Sequence, residues 1–221
     1  MKKTELDHAA VLEKLRGLRL PGMVRTLAQL LERARQDNLT ALEIVDALCE
    51  EEINSRIKSA VERRVRGARF AEISTVDGFD FDWDGTRKKI RSRYLALHDL
   101  TFIDRAICPI FIGTPGTGKS FLARALAYKA CQATKSVLFT TAARMLNDLG
   151  GADVHGQITR VLRKYNQPAL LVIDDFAVLE MDTAQAKLAF QVISERYEHH
   201  RSTAITTNRP FKDWTKVFPI R

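Results

Sequence analysis

The stretch that decides the fold is Gly113-Thr114-Pro115-Gly116-Thr117-Gly118-Lys119-Ser120, carried within the run IGTPGTGKS. It satisfies G-x-x-x-x-G-K-[ST] at every fixed position, and a match by chance in a chain of this length is on the order of 1%. The glycines let backbone N–H groups converge on phosphate oxygens, and the helix that follows offers them its positive end. Lys119 is placed to reach the β and γ phosphates of a nucleotide, and the Ser120 hydroxyl to ligate Mg²⁺. The loop also sits in the right context. An apolar run, Ile107 to Ile112, precedes it, and an Ala- and Leu-rich segment opening with Phe121 follows.

Working outward, short apolar runs alternate with helical segments from about residue 100 onward, which is the pattern of βαβ units and a parallel sheet. Strands are expected at 107–112, 137–140, 170–174 and 203–207. Helices are expected at 118–132, at 142–149 with 156–165, and at 183–199, the last striped by Ala186, Phe190, Ile193 and Tyr197. A phosphate loop needs an acidic partner at the end of a neighbouring strand. Leu170-Leu-Val-Ile-Asp174-Asp175 supplies two: Asp174 for Mg²⁺, and Asp175 to orient or deprotonate an attacking water. The plain alternative is a buried strand ending in a solvated turn. The fourth strand ends at Asn208, on the same carboxyl edge of the sheet, where open α/β folds bind ligands. Asn208 is therefore a candidate γ-phosphate sensor, or else a turn residue before Arg209-Pro210.

The first sixty-odd residues carry no strand signal. Leu6, Ala10, Leu15 and Leu18 suggest a helix ending near Pro21-Gly22, and Met23, Leu27, Leu30, Leu31 and Ala34 suggest a second. Thr40-Ala-Leu-Glu43 is a capping box that opens a third, striped by Val45, Leu48, Ile53, Ile57, Ala60 and Val61. Residues 67–86, with Gly67, Gly78 and Gly85, read as a linker. The expected fold class is α/β, a P-loop nucleotide-binding sheet with flanking helices, preceded by an all-helical N-terminal domain. Its divisions are 1–66 (helical), 67–99 (basic linker and helix) and 100–221 (nucleotide-binding core).

The chain has 221 residues, 45% of them hydrophobic, enough to bury a core. Its opening, MKKTELDHAAVLEKL, lacks the apolar stretch of a signal peptide, and no run is long and apolar enough to span a bilayer, so a cytoplasmic protein is expected. Cys49, Cys108 and Cys131 lack CxxC spacing and read as buried free thiols. His155, His199 and His200 read as surface residues, and Trp83 and Trp214 as packing anchors.

A net charge of +8 favours a polyanionic partner. Two runs concentrate it: Arg56, Lys58, Arg63, Arg64, Arg66 and Arg69, and then Arg87, Lys88, Lys89, Arg91 and Arg93. Both are spaced to meet DNA phosphates, and both are equally readable as solvated helix faces.

Taken together these residues resemble an AAA+ ATPase of the IstB/DnaC branch. LLVIDD is similar to its Walker B segment, with Asp175 where a Glu is usual. STAITTNRPFKDWTKVF is similar to its sensor 1 segment, whose Asn falls on Asn208. In LHDLTFIDRAICPIFIGTPGTGKSFLARALA, the resemblance implies that Phe102 and Ile103 pack near adenine. LEKLRGLRLPGMVRTL is similar to the opening of IstB-type transposition helpers and separates this chain from DnaC-type helicase loaders, the alternative reading. The resemblance implies an ATP- and Mg²⁺-dependent protein that binds duplex DNA with little sequence preference. It further implies assembly into a homo-oligomer on target DNA, stimulation of a partner transposase, and no membrane association. It adds Arg144, Arg160, Arg163 and Lys164, in the helical insert between strands two and three, as DNA contacts. Family chains continue past WTKVFPIR into a fifth strand, an arginine finger and a lid. A helper that binds nucleotide or DNA without turnover is the third reading.

Overall fold

The computed structural model describes residues 7–154, 156–176 and 181–217. The chain divides into two compact units, Met1–Glu62 and Arg63–Arg221.

The first unit is helical. Helix α1 (His8–Gly17) is capped by Asp7, whose carboxylate accepts from Ala9 N. Helix α2 (Pro21–Gln36) starts on Pro21. Proline's fixed φ and missing N–H suit the first helical position, so Pro21-Gly22 begins the second helix, and the first has already ended at Gly17. Helix α3 (Ala41–Ala68) runs on into the second unit and opens with the expected capping box: Glu43 N donates to Thr40 Oγ1, and Thr40 N donates to Glu43 Oε2.

Only glycine fits at position 22, because a Cβ there would lie 2.5 Å from Glu51 O. The close approach lets Glu52 Oε2 accept from Gly22 N at 2.7 Å and Met23 N at 3.4 Å, satisfying donors that the start of α2 leaves open. The face of α3 turned inward is thus built on Glu52 and Ser55, both buried. Val45, Ile53 and Ile57 of the expected stripe are at least half exposed.

The second unit holds a parallel sheet ordered β1-β4-β3-β2: β1 (Ile110–Ile112), β2 (Val137–Thr141), β3 (Leu170–Asp174) and β4 (Ser202–Thr207). Side chains of β2, β3 and β4 alternate between two helical layers, as strand geometry requires. Phe139, Leu170, Val172 and Ala204 pack with Leu122, Leu126 and Ala130 of α6 (Lys119–Gln132). On the other face Leu138, Leu171, Ile173 and Ile205 pack with three helices. These are α7 (Ala142–Val154), α8 (Ile158–Asn166) and α9 (Thr183–Glu198). A strand buried on both faces reads as an unbroken apolar run, which is why LLVI was visible in the sequence.

The first strand is shorter than the expected 107–112. Pro109 offers no N–H to a ladder and Ala106 is left-handed (φ 54°), so pairing starts only at Ile110↔Ile205. As an edge strand β1 leaves Ile110 and Ile112 partly exposed.

Residues 67–86, expected as a linker, are packed. Ala68 and Phe81 are buried in the core on the α6 side, Phe79 stacks edge-on against Phe81, and Phe70 meets Phe139 at 6.0 Å. Aromatic residues, not glycines, set the character of this stretch. It leads into α4 (Gly85–Leu95) and the short α5 (Thr101–Asp104). Among the described residues the final element is α10 (Trp214–Val217).

Candidate functional site at the carboxyl edge of the sheet

The loop between β1 and α6 takes the form its sequence demands. Gly116 (φ 80°) and Gly118 (φ 92°) are both left-handed, the conformation glycine adopts without a Cβ penalty. Gly118 has a second constraint: a Cβ there would meet the Phe79 ring at 2.4 Å. The loop is tied internally, with Thr117 Oγ1 and Lys119 Nζ each donating to Thr114 O at 2.9 Å, and Gly113 N donates to Thr207 O of β4. The Lys119 ammonium is therefore held over its own loop, and Lys119 and Ser120 form the first turn of α6, where helix N–H groups attract anions. Pro115 is exposed, and Phe121 packs against Phe79 at 5.9 Å.

Register places the acids beside this loop. Thr207 pairs with Ile112, and Ile173 with Ile205, so Asp174 and Asp175 leave β3 at the level of Thr206. Asp174 is buried. The Thr206 hydroxyl donates to Asp174 Oδ1 and accepts from Asp175 N at 3.0 Å. Asp175 is left-handed (φ 54°) and exposed. Desolvation by the protein around its carboxylate, despite the exposure of the residue as a whole, and the neighbouring Asp174 charge raise its pKa, and Lys119 opposes them. Asn208 lies just beyond β4 on the same edge and is exposed.

Thr206 is not among the site residues that the motifs mark, although its position two residues before Asn208 on a strand aimed at this edge is a usable signal. Phe102 and Ile103 lie in the core with Leu122 and Leu126, at 3% and 5% exposure. The candidate Mg²⁺ ligands fit the ion's preference for few protein oxygens: Ser120, half-buried, and a buried carboxylate with one oxygen engaged by Thr206. Among the described residues no group of three or more His, Cys, Asp or Glu side chains is arranged to hold a metal ion.

The basic residues are dispersed. Arg56 and Lys58 are on the part of α3 in the first unit, where Arg56 pairs with Glu52. Arg63, Arg64, Arg66 and Arg69 are exposed at the end of α3 in the second unit. On α4, Arg87, Lys88 and Arg91 pair with Asp84 or Asp82, while Lys89 and Arg93 are exposed. Arg87 also lies over the rings of Phe79 and Trp83. Arg144, Arg160 and Arg163 are exposed on α7 and α8, and Lys164 pairs with Asp148.

Two expectations need correction. Cys49 and Cys108 are exposed, and only Cys131 is buried, its thiol pushed up to about 12 by desolvation. Trp83 is 74% exposed, because the buried aromatic position falls to Phe81. Trp214 does pack, on Phe176 at 5.6 Å. His199 and His200 are exposed as expected, and His155 lies outside the described residues. No helix among the described residues is long and apolar enough to cross a membrane.

The profile of the family described as "IstB-like ATP binding protein" matches residues 13–220. The chain belongs to this family. It is 33% identical over 210 residues to an insertion-sequence ATP-binding protein of Mycobacterium tuberculosis, covering 95% of this chain and 83% of that one. It is 31% identical over 206 residues to the IS21 ATP-binding protein of Pseudomonas aeruginosa, covering 92% and 76%. Among solved structures, the DnaC helicase loader superposes with a TM-score of 0.59 at 20% identity over 65% of this chain and 86% of that one. The initiator DnaA bound to AMPPCP and single-stranded DNA gives 0.53 at 21% identity, covering 61% and 41%. At these identities the structures speak to fold alone, and the IstB-like chain has the AAA+ P-loop fold.

Proposed function

We propose that this IstB-like chain is an ATP-hydrolysing, DNA-binding helper of insertion-sequence transposition. The observation that carries the reading is the carboxyl edge itself, where one loop, two strand ends and a shared threonine bring Lys119, Asp174, Asp175 and Asn208 to a common rim. The backbone of 113–119 holds the phosphates, and Lys119 swings from Thr114 O to their charge. Ser120 and Asp174 hold Mg²⁺, which offsets phosphate charge when bound. Asp175 orients water at the γ-phosphorus and takes its proton as the bond to ADP breaks. Asn208 senses the γ-phosphate, and Phe102 and Ile103 back the base.

In the cytoplasm, the protein assembles as a homo-oligomer on duplex DNA and stimulates a partner transposase. This part of the reading rests on the insertion-sequence relatives, and the exposed basic residues of α3, α4, α7 and α8 are its candidate DNA contacts. The test is phosphate release from ATP with and without duplex DNA. Release that rises with DNA supports the helper. Nucleotide binding without DNA-stimulated release reduces the chain to a binding module. Lys119→Ala is expected to weaken nucleotide binding more than about tenfold, or ~1.4 kcal/mol, and unchanged affinity refutes the loop's role.

A further inference from the structure

At the end of the sheet opposite the phosphate loop, a cleft of about 530 Å³ opens between the end of α3, the start of β2 and the turn after α8. Arg64, Arg69 and Lys164 line it, together with Ser136 and Gln167. Among the described residues neither Arg64 nor Arg69 forms an ion pair, whereas Lys164 donates to Asp148. The two arginines nevertheless act on what surrounds them. Arg69 helps hold the Asp148 carboxyl below its usual range, and Arg64 works against the rise of the Cys131 thiol.

A second positive source reaches the cleft lining at Pro168. Arg196 is fully buried, and its Nη1 donates to Tyr165 O at 2.8 Å and Pro168 O at 3.0 Å, its Nε to Thr203 Oγ1 at 2.8 Å, and its Nη2 to Ser202 O. Every one of these acceptors is neutral, and among the described residues no carboxylate lies within ion-pair distance of Arg196. Burial lowers its pKa to about 10, so it keeps its charge at neutral pH. Arg201, donating to Gln167 O, adds another cation at the same wall. Against these stand Asp148 and Glu195, of which Glu195 accepts from Asn166. Two arginines without ion-pair partners in the cleft lining, and a buried guanidinium without a counter-ion bonded to the Pro168 carbonyl of the same lining, leave this end of the sheet positively charged.

We infer that this cleft is an anion site that seats a phosphodiester of a DNA strand, remote from the nucleotide loop. Its volume admits a sugar-phosphate unit, more than a single ion requires. The donors suit such an occupant: two guanidiniums, an ammonium with protons to spare, the Gln167 amide and the Ser136 hydroxyl. The inference rests on the DNA-binding reading above and assigns part of it to one place.

The test compares the full-length wild type with Arg64→Ala/Arg69→Ala and, as a charge control, with Lys187→Ala on the exposed side of α9. Duplex DNA affinity is measured by anisotropy across a salt series. The double variant is expected to lose about tenfold or more in affinity and to lower the salt slope by roughly 2, since each phosphate contact contributes about 0.9. The control is expected to shift by less than about twofold, and nucleotide binding is expected to stay unchanged in both, which also shows that the sheet remains folded. Unchanged DNA affinity in the double variant overturns the cleft assignment alone, and no DNA binding by the wild type overturns it together with the functional reading. In the Lys119→Ala background, inorganic phosphate or ATP that binds and depends on Arg64 and Arg69 without competing with DNA identifies a free phosphate as the occupant, and sinks the proposal for DNA.

Discussion

The Thr206 hydroxyl donates to Asp174 Oδ1, joining the last residue of β3 to the penultimate residue of β4 at the edge where the phosphate loop begins. The same oxygen accepts from Asp175 N. Thr206→Val keeps the shape and removes both bonds, leaving a buried carboxylate oxygen and a backbone N–H short of a partner. A loss of about 1–3 kcal/mol is expected by urea denaturation. ATP turnover is expected to fall more steeply than nucleotide affinity, because both acids lose their positions while the loop does not. Equal losses in the two would show that Thr206 serves the loop.

Asp175 carries a pH signature. Its folded pKa is raised, so the protonated form is favoured on folding, and its contribution to stability is present below the ordinary carboxylate range and lost as pH rises through the raised value. Asp175→Asn is therefore expected to raise Tm at pH 7. Part of that gain persists at every pH, because Asn tolerates the left-handed backbone at this position. The remainder should shrink as pH is lowered toward 4, and a gain of constant size across that range contradicts the raised pKa. Turnover by the same variant should drop by about 10²–10⁴-fold if Asp175 handles the proton of water.

Gly118→Ala introduces two separable faults. The φ of 92° disfavours any side chain by about 1–2 kcal/mol, and the new methyl group meets Phe79 at 2.4 Å. Pairing it with Phe79→Ala should relieve the second fault and not the first. A double-mutant cycle in chemical denaturation is expected to show a favourable coupling of about 0.5–3 kcal/mol. Strict additivity would mean that the ring and the loop do not touch in solution.

Arg196→Met replaces a buried guanidinium by an apolar chain of similar length and leaves the carbonyls of Tyr165, Pro168 and Ser202 without their donor. A net destabilisation is expected, because each buried carbonyl left without a donor costs about 1–3 kcal/mol, a loss only partly offset by removal of a buried charge that has no counter-ion. Arg196→Lys should recover little of it, because an ammonium cannot reproduce the planar fork. Thermal unfolding with nucleotide binding as a second readout distinguishes this local loosening from loss of the site.

The sheet was legible because its strands are buried on both faces and its loop needs glycines at fixed positions. LLVIDD announced both a strand and its acids in six residues. The first strand was overextended because an apolar run says nothing about hydrogen bonding, and Pro109 decides where the ladder starts. The linker was misread for a related reason. Gly67, Gly78 and Gly85 suggested slack chain, while Phe70, Phe79 and Phe81 between them set the packing. On α3 half of the apolar stripe, Val45, Ile53 and Ile57, is exposed while Leu48, Ala60 and Val61 are half-buried, because the close contact with α2 is made by a glycine and a capping carboxylate, which hydropathy does not register. Thr206 was invisible as a functional residue because its role exists only once β3 and β4 are adjacent. The Arg196 network shares this dependence on tertiary neighbours.

The contact between Phe79 and Gly118 has one more consequence. Phe79 lies under the Arg87 guanidinium, which also covers the exposed indole of Trp83. A shift of the loop's third glycine must push on that stack of ring, cation and indole. The protein thus carries an optical gauge of its own phosphate loop, readable as Trp83 emission when nucleotide arrives, with no label attached.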